Sequence, residues 1–235
     1  LPHARDYFAE VQASLARIAA ATVAVKSPSE RSVLRVCTSP SVAMKWLIPR
    51  LGGYQTLAPG VEVQLSTMGR QFIERADATN DVVIQRRPMQ RAEHTCVRVL
   101  DDYLLPVASP RFIQKHRVHT AVDCLGHPLL QVSGGMDAWP QWFALAGLQV
   151  PSQLPGPVFD HQFLCMQAAM NDLGIALVPW CLLQEDLHAD RLRPLFAQPR
   201  LQGSGVYAQY RTDNPQAAVA REFISWLGLQ GQASL

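Results

Sequence analysis

The sequence predicts an α/β protein built on parallel βαβ units, and three observations predict it. Short runs rich in Val, Ile and Leu recur along the chain, separated by helical stretches of about 10–15 residues, the spacing of strands joined by crossover helices. Apolar residues make up 48% of the 235 and charged residues only 17%, which suits a sizeable buried core and excludes disorder. No fixed-period repeat or low-complexity tract interrupts the alternation.

The elements follow in order. Leu1, Ala4, Phe8, Val11, Leu15, Ile18, Thr22 and Val25 are spaced 3, 4, 3, 4, 3, 4 and 3, an a/d seam. So narrow a stripe buries little alone, so the helix is expected to pair with a second copy; the alternative is an amphipathic helix lying on its own domain. KSPSERS (Lys26 to Ser32) reads as a linker, with Pro28 stopping the helix. VLRVCT (Val33 to Thr38) is a strand, and Ser39-Pro40 opens a helix through Met44, Trp46 and Leu47 that Pro49 should kink or restart. VEVQLS (Val61 to Ser66) is a strand, Arg70 to Ala78 a helix and DVVIQ (Asp81 to Gln85) a strand. His94 to Ser109 reads as one or two longer strands. LLQV (Leu129 to Val132) is a strand and Ala138 to Leu145 a helix. VFD then leads into a helix from His161 to Asp172, Gly174 stops it, and IALV (Ile175 to Val178) is a buried strand. VYAQY (Val206 to Tyr210) and a helix from about Pro215 to Leu227 close the chain.

Composition excludes several functions. A net charge of +2 is too small to hold the body on nucleic acid by bulk charge. The best apolar run, Leu173 to Leu183, is about half the ~20 residues of a spanning helix and contains Pro179, so no membrane partner is expected. The start, LPHARDYFAE, has no apolar signal segment. Cys37, Cys96, Cys124, Cys165 and Cys181 are odd in number, far apart and without a C-x-x-C, so they read as small buried hydrophobes in a reducing cytosol. His3, His94, His116, His119, His127 and His188 show no metal-ligand spacing, and His116 and His119 are expected in a surface loop; no metal or cofactor is expected. No G-x-S-x-G, P-loop or G-x-G-x-x-G occurs, and no catalytic residue is expected.

Three blocks carry a resemblance. They are A-M-K-W-L-I-P-R-L-G-G-Y (Ala43 to Tyr54) with A-P-G-V-E-V-Q-L-S (Ala58 to Ser66), F-D-H-Q-F-L-C-M-Q-A-A-M-N-D-L-G-I-A-L-V-P (Phe159 to Pro179), and Pro215 to Leu227 with its R-E-F-I-S-W-L. In this order they resemble the effector-binding domain of LysR-type transcriptional regulators, in the branch holding glycine-cleavage and β-lactamase regulators. Those regulators read roughly A-x-W-L-x-P-R-L-x-x-F and A-A-x-x-G-x-G-I-A-L-x-P; Asp172 and Leu173 depart from the second pattern.

The resemblance implies two Rossmann-like subdomains with a ligand cleft between them, as in type 2 periplasmic binding proteins. It places a linker and dimerisation helix at 1–30, subdomain I at 31–106 with 208–235, and subdomain II at 107–207. It also implies a winged helix-turn-helix ahead of Leu1, self-association as a homodimer or homotetramer, promoter DNA contacted only through that preceding domain, and a cytoplasmic location.

Ligands of parallel α/β sheets gather beyond the carboxyl ends of strands, where helix N-termini offer free N–H groups. In the resembled family two such turns face the cleft, which makes Thr38, Ser39, Ser41, Asp160 and His161 candidate effector contacts; Ser39 and Asp160 are equally expected to cap their helices. Thr67 ends the second strand and Gln85-Arg86 the third. Family members often carry Arg followed by Tyr-Gly where this chain has Gln85-Arg86-Arg87; an arginine there would hold a carboxylate, or else be a solvated loop charge. Ser133 and Gly134 follow a strand and allow close backbone approach, or simply form a tight turn. Trp139 is expected either to wall the cleft or to pack on its own lobe.

The predicted function is effector sensing by a transcriptional regulator, the ligand being a small carboxylate, amino acid or peptide-like molecule. An extracytoplasmic solute-binding protein on the same fold is the alternative. An enzyme would have to work with Asp160 and His161 alone.

Overall fold

The computed structural model describes residues 32–69, 76, 78–88, 91–134, 138–149 and 153–232. The heptad segment and most of the expected helix Arg70 to Ala78 lie outside them. The described residues fall into two compact units, with 32–39, 50–99 and 207–229 in unit 1, and 40–49, 100–206 and 230–232 in unit 2.

Unit 1 is organised by β1 (Ser32–Thr38), β2 (Val61–Thr67), β3 (Val82–Gln85), β4 (His94–Leu100) and β11 (Val206–Arg211) in the order β2-β1-β3-β11-β4. β1 runs parallel to β2 and β3, while β11 is antiparallel to β3. β3 is buried at every position, as a central strand of Val and Ile should be. β2, at the edge, alternates half-buried Val61, Val63 and Leu65 with exposed neighbours. Tyr54, Phe223 and Trp226 pack as rings 4.8–5.5 Å apart, joining the helix after β1 to the last helix, which here runs Ala217–Gln232.

The helix after β1, α1, spans 40–57 in three continuous parts: α-helical Pro40–Val42, π-helical Ala43–Leu47 and α-helical Ile48–Leu57. Pro49 was expected to kink or restart it. Instead the turn before it widens, with Ile48 N–H donating to the Ala43 carbonyl, and the helix continues. In an α-helical register the proline ring would strike the carbonyl four residues back, that of Lys45, and a π-turn relieves that clash.

Unit 2 holds β5 (Tyr103–Ala108), β6 (Leu129–Val132), β7 (Val158–Phe159), β8 (Ile175–Pro179) and β10 (Leu201–Gln202) in the order β10-β5-β8-β6-β7, with β9 (Arg193–Pro194) on β5. β6 is parallel to β7 and β8; β5 is antiparallel to β8. The helices are α2 (Pro110–His116), α3 (Ala138–Leu145), α4 (Gln162–Met170) and α5 (Gln184–His188), and the closing helix Ala217–Gln232 is α6. Phe112, Leu129, Trp139, Trp142, Phe143 and Ile175 build the core of this unit. Each sheet sets one antiparallel strand, β11 or β5, next to its parallel set.

His94 to Ser109 resolves into two strands in two different sheets. Asp102 marks the change: it is 2% exposed, its carboxylate accepts from Tyr103 N–H (2.9 Å) and its carbonyl from Gly203 N–H (2.9 Å). Those bonds tie the outgoing segment to the returning one. β5 belongs to unit 2 from its first residue, because Tyr103 pairs with Gln202 and Leu104 with Pro179. The segment 40–49 also groups with unit 2. His116, expected in a surface loop, ends α2, where its ring lies 4.3 Å from Phe112 and 4.8 Å from His127.

Candidate functional site

The carboxyl ends of the parallel strands form one polar edge in each unit. In unit 1 the register places Thr38 beside Thr67 and beside Ile84, the residue before Gln85. Thr38 is fully buried; its hydroxyl donates to the Ile84 carbonyl at 2.8 Å and its carbonyl accepts from Met68 N–H. Gln85 is 8% exposed and its amide donates to Gln209, itself 1% exposed, across β11. Thr67 is exposed; Ser39 and Arg86 are half-buried. Gln209 was missed in the sequence because β11 reads as an ordinary strand, and its pairing with Gln85 depends on β11 returning antiparallel beside β3.

In unit 2 the edge is assembled from segments far apart in sequence. Ser133 N–H donates to the Phe159 carbonyl at 2.7 Å, bringing the β6 turn against the β7 turn. Ser133 and Gly134 are exposed, and Gly134 has φ 71°, a conformation open to glycine. Asp160 is exposed, with its carboxylate 3.7 Å from His161 Nε2, and the His161 ring stacks on Phe163.

The start of α4 departs from expectation. Its N-cap is His161, and no side chain of that residue caps it. The Phe163 N–H is bonded by the Ser41 hydroxyl, 3.1 Å away and 122 residues earlier. Ser41, 6% exposed, thus takes the capping role expected of Asp160. Asp160 keeps its carboxylate in solvent. Ser41 still has its hydroxyl hydrogen to donate, so one side chain can serve both helix and ligand.

Trp139 is 2% exposed, packs on Phe143, and donates its indole N–H to the Leu130 carbonyl at 3.2 Å. It is a core residue, held by apolar packing and by a satisfied donor, and it does not open on this edge. The fold thus brings Ser41, Ser133, Gly134, Asp160 and His161 together, and the register aligns Thr38, Thr67 and Gln85.

Comparison with known proteins decides what such an edge belongs to. A family profile described as the LysR substrate binding domain matches residues 27–231. The chain belongs to the LysR substrate-binding domain family. Over 227 residues it is 26% identical to the glycine cleavage system transcriptional activator of Escherichia coli K12, covering 95% of this chain and 73% of that protein. It is 31% identical over 154 residues to the HTH-type transcriptional regulator TrpI of Pseudomonas aeruginosa, covering 65% of this chain and 52% of that one. Among solved structures, the effector domain of the regulator AmpR of P. aeruginosa superposes with TM-score 0.74 at 24% identity, over 86% of this chain and 97% of that one. The AmpR effector-binding domain of Citrobacter freundii gives TM-score 0.76 at 21% identity, over 86% and 100%. The LysR-type fold, of the periplasmic-binding-protein kind, is therefore that of this chain. These relatives are regulators, and the transporter alternative gains no support from them. Among the described residues no helix is long and apolar enough to cross a membrane.

Proposed function

We propose that this LysR substrate-binding domain is the sensor of a DNA-binding transcriptional regulator, and that its effector is a small carboxylate, amino acid or peptide-like molecule. The observation that carries the reading is the unit 2 edge, where Ser41, the turn at Ser133-Gly134 and the start of α4 converge through hydrogen bonds rather than through sequence proximity. The free N–H groups and positive end of α4 favour an anionic group, while the exposed carboxylate of Asp160 favours an ammonium group; an amino acid offers both. The likeness to a glycine cleavage system activator supports an amino-acid-type effector.

The effector acts by binding one arrangement of the regulator better than another; a tenfold preference supplies about 1.4 kcal/mol of bias per site. That bias is passed to the DNA-reading part of the whole regulator, in the cytoplasm, through self-association as a homodimer or homotetramer. No reaction is catalysed.

A thermal-shift screen with glycine, the other amino acids in both hands, and short peptides tests the reading. A compound at 100 times its dissociation constant adds about 2.7 kcal/mol of stability. Ser41→Ala and Asp160→Ala remove that shift and leave the unliganded fold intact. A full shift retained in both variants places the effector elsewhere.

A further inference from the structure

The effector contact at Ser41 leaves the π-turn of α1 without a reason for its exact placing. Pro49 favours a widened turn but does not fix where the extra residue is inserted. Lys45 lies in the middle of that turn, with Nζ 2.8 Å from Asp186 Oδ2. Asp186 has no exposed side-chain surface, and its other oxygen is 2.7 Å from Arg191 Nη2. A carboxylate buried to that degree needs cations beside it. Yet a buried ion pair is a weak net stabiliser, because the loss of hydration offsets most of the attraction; its best-attested use is to select one register among several.

The registers open to this helix differ in what they do to Ser41. Closing the π-turn, or moving it toward the N-terminus past Ser41, rotates Ser41 by about 100° relative to the rest of the helix. Ser41, two residues ahead of the turn, would swing away from Phe163. We infer that Lys45, through its ion pair with Asp186, is a positioning residue that sets the register of the π-turn and so aims the Ser41 hydroxyl at the start of α4. This role rests on the reading of Ser41 as an effector contact.

Amide hydrogen exchange of the ligand-free protein tests the inference separately from that reading. Ser41→Ala removes the acceptor and speeds exchange at the Phe163 amide about fivefold, the factor carried by one average hydrogen bond. Lys45→Met combined with Asp186→Leu replaces the pair with apolar groups. It leaves the urea midpoint near that of the wild type and speeds Phe163 by the same factor. Lys45→Arg, which keeps the cation, returns Phe163 to the wild-type rate. If the double variant does not fold, Lys45→Gln is read in the same way. An unchanged Phe163 rate in a folded variant that lacks the cation overturns the inference. So does an equal rise at every amide of unit 2, which marks a merely structural role. The effector reading fails by a different sign: an amino acid that stabilises the wild type in the screen binds Ser41→Ala unchanged, while the exchange pattern stands.

Discussion

Asp81 in unit 1 and Asp186 in unit 2 are both buried, and the two are held by opposite means. In unit 1 Asp81, 8% exposed, accepts from the Arg35 backbone N–H at 2.8 Å and from the Asn214 amide at 3.1 Å, all neutral donors. In unit 2 Asp186, fully buried, is bracketed by Lys45 and Arg191. The first fastens β1 to β3 and to the segment leading into α6, as a structural staple. The second fastens the turn that carries Ser41. Neutral donors suit a contact that only has to persist, whereas a pair of charges enforces one register against others. The polar edge of unit 1 is likewise set by strand register, and that of unit 2 by contacts between distant segments.

The largest effect expected from this contrast is at Asp186. Asp186→Ala leaves Lys45, with 14% of its side chain exposed, beside an empty partner position; a loss of about 3–5 kcal/mol by urea unfolding is expected. Asp81→Ala removes an acceptor of neutral donors and costs about 1–3 kcal/mol. Equal losses at the two sites would erase the distinction. Gly174→Ala comes next: a Cβ there would collide with the Pro128 carbonyl that accepts the Ile175 N–H, so a loss of about 1–3 kcal/mol is expected together with a disturbed β6–β8 pairing. Trp139→Phe leaves the Leu130 carbonyl without its indole donor and costs about 1–3 kcal/mol. Isothermal titration with the effector found by screening should give an unchanged affinity, because Trp139 belongs to the core.

Smaller effects concern titration. His127 is held below its ordinary value of 6.5 by burial, then by the neighbouring His116, with Asp123 opposing. A depressed histidine favours the neutral form in the folded state. Its stabilisation is full above about 6.5 and is lost as pH falls through the lower folded value. His127→Gln should flatten that acid limb in a pH series of melting temperatures. Burial pushes the Cys124 and Cys165 thiols up to about 12, so both should resist a thiol reagent at pH 8 in the folded protein and react on unfolding.

Much of this was legible from local pattern. The β1, β3 and β8 runs are apolar and β-branched, and Ser39-Pro40 opens a helix, so the windows that betray them are short. What was not legible depends on residues far apart. The strand from His94 to Ser109 divides between sheets because its second half pairs with Ile175 to Pro179, a partner no local window contains. Ser41 was singled out for its place after β1, but its bond to Phe163 spans 122 residues, and Asp160 looked like the cap because only neighbours could be judged. Apolar periodicity carries no mark of a π-turn either; Pro49 signalled a break, and the backbone answered with a wider turn. Asp172, standing where the resembled family has a small residue, takes φ 62° and accepts from the Ser109 hydroxyl, a compensation visible only in three dimensions.

The central claim is that the effector is read where Ser41 meets α4. Amide chemical shifts followed during titration with the amino acid found by screening test it most directly. The account predicts that the signals of Gly134, His161 and Phe163 move together and saturate at the dissociation constant measured by calorimetry. Shifts that leave those three amides still, and gather instead around the groove of Leu57, Glu222, Trp226 and Leu229, would contradict it.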